Sequence, residues 1–333
     1  MTTMQDVAEL ANVSAKTVSR VYNDDPHVSP DTRARVMAAL ESLNYVPNTM
    51  ATTFRTGRPA AIGLAVPDIA DPFFAAIAHA VETSAHKRDM AVIMTSLGDD
   101  RAQERPIVES LLRRRLSGLI LAPTGSDHGY LKRWTTQVPT VFVDRATKGV
   151  PSDSFVHADH DGAVMATEHQ LKLGHRRVAF VGDTESIPTT RNRLLGYRHA
   201  LDARNIPQDE ELIVMGAGTR EGAGKILEML MSLASPPTAL FLSNARISMA
   251  SIPAIQQLNL HDLSTIGFGD FPMADALSPP FTVIDQSPAD LGRQAMDRVL
   301  HRIDHPRRRY RRNNVLPVRL IERGSCFPPV HRE

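Results

Sequence analysis

Apolar positions along this chain follow two regimes that change near residue 60. Before that point the spacing is helical. Val7, Leu10 and Ala11 stand at i, i+3 and i+4, Val18 and Val21 repeat the offset, and Val36, Leu40 and Leu43 form a third stripe. Each stripe carries a start signal. Thr3-x-x-Asp6 is a capping-box pattern, Ser14 is placed to cap the second helix, and Ser29-Pro30-Asp31 joins a cap, a first-turn proline and an acid. Asn12, between the first two stripes, tolerates the left-handed conformation of a tight turn. The pattern predicts an all-α helix-turn-helix head.

Beyond Ala60, short apolar runs alternate with amphipathic stretches, the rhythm of parallel sheets covered by helices on both faces. The runs are 62–66, 91–94, 118–122, 140–143, 178–181, 212–215, 239–242 and 265–268. Helices are expected between them, among others over 72–86, 104–115, 162–173, 191–203 and 221–233. Two such series in succession predict an α/β bilobed core of two doubly wound parallel-sheet lobes.

In a helix-turn-helix the second helix meets base edges in the major groove. Lys16 and Arg20 are therefore candidate base readers beside Ala15, with Arg20 suited to bidentate guanine contact. Ser14, Thr17 and Ser19 are candidate phosphate donors, and Asn23 closes the recognition segment. Charge adds no support. The whole chain carries a formal net charge of +1, and through Arg58 six cations face six acids. DNA affinity in this head must come from placement.

Other chemistry is sparse. The one cysteine, Cys326, has no intramolecular partner, and His157-x-x-His160, on an expected strand end and loop, is not read as a metal site. There is no phosphate loop, nucleophile elbow or His-Glu-x-x-His pair, so neither an enzyme nor a cofactor is expected. With no apolar signal segment and no membrane-length apolar run, a soluble cytoplasmic protein is expected. The alternative, a stand-alone sugar-binding protein, would need a secretion signal and would leave the recognition helix unexplained.

The residues Asp6-Val7-Ala8, Val13-Ser14, Thr17-Val18-Ser19-Arg20-Val21, Val28-Ser29-x-x-Thr32-Arg33, Asn44-Tyr45-x-Pro47-Asn48 and Leu173-Gly174-His175-Arg176-Arg177-Val178-Ala179 together resemble the LacI/GalR family of transcriptional regulators. The resemblance implies a head over 1–46, a hinge helix and linker over 47–59, and a periplasmic-binding-protein-like effector and dimerisation core over 60–333. It implies lobe crossings near Asp159, Gln286 and Asn313, which puts a final strand at about 315–323 in the second lobe. Lobe 1 is then about 60–158 with 287–312, and lobe 2 about 159–286 with 313–330. It also implies that Asn48, Phe54 and Arg55 belong to the DNA-binding hinge. Phe54 stands where relatives insert a leucine into the minor groove, a wedge role open to aromatic side chains.

Ligands of open α/β sheets bind beyond the carboxyl ends of the strands. Aligned on the family, Asp71, Phe73, Asp144, Arg191, Asn244, Asp270 and Gln286 fall on effector-pocket positions. Their carboxylates, guanidinium and apolar face suit a sugar or polyol. Two departures matter: Asn244 is followed by Ala245-Arg246, and Gly267-Phe268 by Gly269-Asp270, at places where the family commonly carries further acids. If Arg246 faced the pocket, a sugar acid or phosphate would gain ground; a helix-surface position is expected instead. The basic run Arg307-Arg308-Arg309-Tyr310-Arg311-Arg312 is expected to be a solvated loop. The tail from Cys326 has no heptads, so the expected assembly is a homodimer on a near-palindromic double-stranded operator, repressing under effector control.

Overall fold

The computed structural model describes residues 3–22, 25–45, 61–98, 100–125, 127–147 and 149–330. The chain falls into two compact units, Met1–Pro59 and Ala60–Glu333.

The first unit holds α1 (Met4–Leu10), α2 (Ala15–Tyr22) and α3 (Pro30–Ser42). The expected start signals operate. Thr3 Oγ1 accepts from the Asp6 N–H while Asp6 Oδ2 accepts from the Thr3 N–H, Ser14 Oγ accepts from the Thr17 N–H, and Ser29 Oγ accepts from the Thr32 N–H. Asn12 turns the chain at φ 50°. The core is Val7, Ala8, Ala11, Val18, Val21, Val36, Ala39 and Leu40. Leu10, expected inside, is 56 % exposed, because the helix turns Val7, Ala8 and Ala11 inward and Leu10 lies on the far side.

The second unit contains two six-stranded sheets. Sheet one comprises β1 (Ala61–Val66), β2 (Ala91–Ser96), β3 (Gly118–Leu121), β4 (Thr140–Val143), β5 (Asp153–His157) and β11 (Asn313–Leu316). It runs in the order β11-β5-β4-β3-β1-β2, with every pair parallel. Sheet two comprises β6 (Val178–Gly182), β7 (Ile213–Met215), β8 (Ala239–Leu242), β9 (Ser264–Phe268), β10 (Thr282–Asp285) and β12 (Arg319–Ile321). Its order is β12-β10-β9-β8-β6-β7, parallel except for the edge strand β12, which runs antiparallel to β10.

Alternate side chains feed the two faces of each sheet. In sheet one, Ile62, Leu64 and Val66 pack against α4 (Pro72–His86) and α10 (Pro288–Asp304), while Ala65, Leu119 and Leu121 meet α5 (Glu104–Leu112). In sheet two, Val181, Leu240 and Leu242 face α8 (Arg220–Met231) and α9 (Ala245–Gln257). Phe180, Phe241 and Phe268 face α6 (Asp159–Lys172) and α7 (Pro188–Asp202). The last two helices cross closely at Gly196, where a Cβ would lie 2.3 Å from the His160 carbonyl oxygen.

The chain passes between the lobes three times: after β5, after β10, and between β11 and β12. The third passage corrects the expectation of one final strand. Asn313–Leu316 pairs with β5 in the first lobe and only Arg319–Ile321 joins the second, separated by Pro317, which has no N–H for a ladder. A second correction is that His160 lies in the first turn of α6 rather than in a loop.

Candidate effector cleft and DNA-reading helix

A cleft of about 420 Å³ opens between the lobes, large enough for a small ligand. Its wall is built where β1, β4, β6, β7, β8 and β10 end, from Asp68, Asp144, Asp183, Gly216, Asn244 and Gln286 and their neighbours. This is the carboxyl-end geometry of open α/β sheets.

On the first-lobe side, Asp71 caps α4 by accepting from the Phe73 N–H at 2.9 Å, and burial pushes its carboxyl above the usual carboxylate range. Asp144 and Asp68 add to that rise, while the Phe73 N–H and Arg246 oppose it. Asp144 is buried and left-handed at φ 65°, with Arg145 Nε 3.3 Å from its Oδ2. Arg145 is itself held by the Pro123 carbonyl at 2.8 Å. Phe73 stands edge-on to His157, which lies next to Gln286 at Nε2···Nδ1 3.3 Å. Burial drives His157 down to about 4, with Asp144 pulling the other way.

The second-lobe side is organised by two arginines. Arg246 Nη2 meets Asp183 Oδ1 at 2.9 Å, and Asp183 Oδ2 also accepts from Asn244 Nδ2 at 2.6 Å. Asn244 Oδ1 in turn caps α9 through the Ile247 N–H. Deeper, Arg193 is 4 % exposed and donates from Nε to Asp159 at 2.8 Å and from Nη1 to the Ser243 carbonyl at 2.7 Å. Its guanidinium lies 3.8 Å from the centre of the Phe268 ring. Burial raises Asp159, and Arg193 opposes that shift. This arginine is a brace between α6, α7 and β8 that also forms part of the cleft wall.

In the head, Lys16 and Arg20 stand four residues apart on the exposed face of α2. Arg20 Nε pairs with Asp25 Oδ2 at 2.8 Å. Asp25 in turn accepts from the His27 N–H, and its carbonyl receives Arg33 Nη2. Asp25 is bonded at Nε, and the two terminal nitrogens of an arginine form the fork suited to guanine.

Residues 3–48 match the family model described as bacterial regulatory proteins, lacI family, and residues 167–326 match a periplasmic binding protein-like domain. The ribose operon repressor of Escherichia coli (strain K12) is 33 % identical over 98 % of this chain and 100 % of that protein. The chain belongs to the LacI family. Among solved structures, the lac repressor dimer bound to operator and the anti-inducer ONPF superposes with a TM-score of 0.86 at 29 % identity, covering 98 % of this chain and 99 % of that one. A LacI family regulator from Enterococcus faecium with bound ribose gives a TM-score of 0.73 at 26 % identity, covering 80 % of this chain and 99 % of that one. This LacI-family protein is a DNA-binding transcriptional regulator and not an enzyme.

The structure places the residues singled out from sequence unevenly. In this LacI-family core, Asp71, Phe73, Asp144, Asn244 and Gln286 line the cleft. Asp270 does not: its carboxylate is held by both terminal nitrogens of Arg323, at 3.0 and 2.7 Å. The neighbouring Gly269 explains the turn, since it sits at φ 89° and a Cβ there would come 3.1 Å from Gln286 Oε1. Arg191 is exposed and outside the wall, because α7 begins at Pro188 and turns Thr189, Thr190 and Arg193 inward. Arg246, expected on a helix surface, faces the cleft.

Around the reading helix, Ser14, Lys16 and Arg20 are exposed and Ala15 and Thr17 half-buried, whereas Ser19 is buried beside Val18 and Val21 and is not displayed for phosphate contact. Asn23, Asn48, Phe54 and Arg55 lie outside the described residues. Asp183 and Arg193 are among the cleft residues that escaped the sequence reading. Asp183 directly follows the apolar run of β6, and Arg193 stands four residues before the buried Tyr197, a phase that marks the inward face.

No helix among the described residues is long and apolar enough to cross a membrane.

Proposed function

We propose that this regulator works in the cytoplasm as a homodimeric repressor whose heads read the two halves of a near-palindromic operator. In this reading Lys16 and Arg20 meet base edges and Asn48, Phe54 and Arg55 supply the minor-groove part. The proposed effector is neutral and hydroxyl-rich, a sugar or polyol held between the lobes by Asp71, Asp144, Asn244 and Gln286 with Phe73 against its apolar face. The observation that carries this is the Arg246–Asp183 pair: the cation introduced by the departure from the family pattern is neutralised where it faces the cleft. A phosphorylated or carboxylated sugar is the second reading, supported by the exposed Arg101 on the first-lobe wall.

Arg191, next to Thr190 of the wall, is proposed to fold onto the ligand's outer hydroxyls when the lobes close. Closure then biases the segment over 47–59, and the effector acts only through its different affinity for the two states. Ribose, carried by a related regulator and named in that of E. coli, heads the panel to test.

Calorimetric titration with pentoses, hexoses, polyols and sugar phosphates is the deciding measurement. Arg191→Ala and Asp144→Asn are each expected to weaken the ligand that binds by about tenfold or more, roughly 1.4 kcal/mol. If both variants bind that ligand like the parent, the cleft assignment fails.

A further inference from the structure

The basic run between α10 and β11 is a solvated loop, as expected, and it is also braced by its neighbours. Its centre is Tyr310, whose ring has the guanidinium carbons of Arg298, Arg302 and Arg308 at 4.8, 4.7 and 5.5 Å and stacks on His301 at an interplanar angle of 4°. The backbone is tied as well. Arg298 Nη1 donates to the Arg311 carbonyl at 2.9 Å, Arg302 Nη1 to the Arg308 carbonyl at 3.1 Å, and Asn314 Nδ2 to the carbonyls of Arg311 and Arg312, both at 3.2 Å.

The neighbouring acids are already engaged. Asp153 is buried under Arg298 and Arg302, at 3.3 and 2.9 Å, and Asp304 pairs with Arg88 at 3.0 Å. Arg307, Arg309, Arg311 and Arg312 remain exposed, and no ion pair compensates them among the described residues. Four guanidinium forks held on a braced loop suit phosphate oxygens.

Position selects the partner. All strands of sheet one are parallel, so the loop entering β11 lies at the amino-terminal edge, away from the cleft. That edge also holds Ala61, where the chain arrives from the head. Between β11 and β1 lie four strand spacings, about 19 Å. The head, with six cations and six acids through Arg58, offers little general attraction for a polyanion.

We infer that the 307–312 loop is a second DNA contact, gripping duplex phosphates without reading bases. The inference rests on the DNA-binding activity of the chain and adds the sequence-independent part of its affinity. Each phosphate neutralised steepens the dependence of log K on log salt by about 0.9.

The test is anisotropy titration of the full chain across a salt series, on an operator duplex recovered by selection and on a random duplex of equal length. Replacing Arg307, Arg309, Arg311 and Arg312 by Gln is expected to flatten the salt slope by about 2–4 for each protomer that grips the duplex. Both duplexes should weaken by the same factor, at least tenfold, with operator preference retained. The control is Arg204→Gln with Arg220→Gln, two exposed second-lobe arginines, expected to change the slope by less than about 0.3 per arginine. Circular dichroism checks that the variants fold. An unchanged slope, or an equal effect per arginine in the control, overturns the loop contact alone. A parent chain without operator preference would overturn the DNA-binding activity beneath it.

Discussion

The candidate reading helix of the head spans Ala15–Tyr22, whereas the cleft wall is gathered from segments between Pro67 and Gln286. In the head, recognition chemistry points outward from one short helix over a small apolar core. In the cleft it points inward from strand ends whose neighbours in space are far apart in the chain. A change on the helix therefore removes a contact and leaves its support standing. A change in the cleft can also disturb packing, because Arg193 and His157 are buried in the same framework that shapes the wall.

The comparison breaks most sharply at Arg20. Arg20→Ala is expected to cost about 1–3 kcal/mol at each half-site, roughly 2–6 for a symmetric operator, with no change in ligand binding by the core. Competition binding against operators altered at one base pair measures it, and equal discrimination by parent and variant would remove Arg20 as a reader. The cleft counterpart is Arg193→Ala, which strands the buried Asp159 and is expected to lower core stability by about 3–5 kcal/mol. Urea unfolding should show that loss, while the exposed Arg191→Ala stays within about 0.5 kcal/mol. Near-equal midpoints for the two variants would sink the brace.

The smallest effect concerns His157, whose folded pKa is pushed down to about 4. A depressed histidine keeps the folded state neutral, so its stability contribution is complete above the unfolded value near 6.5 and is lost as pH falls toward 4. The loss amounts to about 3 kcal/mol at most. His157→Gln should abolish that part of the slope; parallel stability curves for parent and variant between those pH values would show that burial does not hold His157 neutral.

This contrast also explains what the sequence made legible. Helix starts are local chemistry, and Thr3, Ser14 and Ser29 marked theirs correctly. Apolar runs located most strands of both sheets. β5 did not appear as an apolar run because Asp153, Ser154 and His157 are polar residues buried by tertiary partners, Asp153 under two arginines from α10. The same limit applied to the cleft. Residues immediately after strands could be listed, but a shift in where α7 begins moved the inward position from Arg191 to Arg193. Asp270 looked like its neighbours in sequence and was claimed instead by Arg323, fifty-three positions away.

The three strings of chain between the lobes meet at one place: Ala158 donates to the Leu316 carbonyl at 3.0 Å, and Gln286 reaches His157. Bound together like the spine of a book, they have the geometry of a hinge, in which rotation about that line disturbs these bonds least. In the proposed reading, ligand chemistry acts on a single mechanical variable, an angle. Effectors of different shape can then be compared on one scale by the rotation they favour, whichever wall residues they touch.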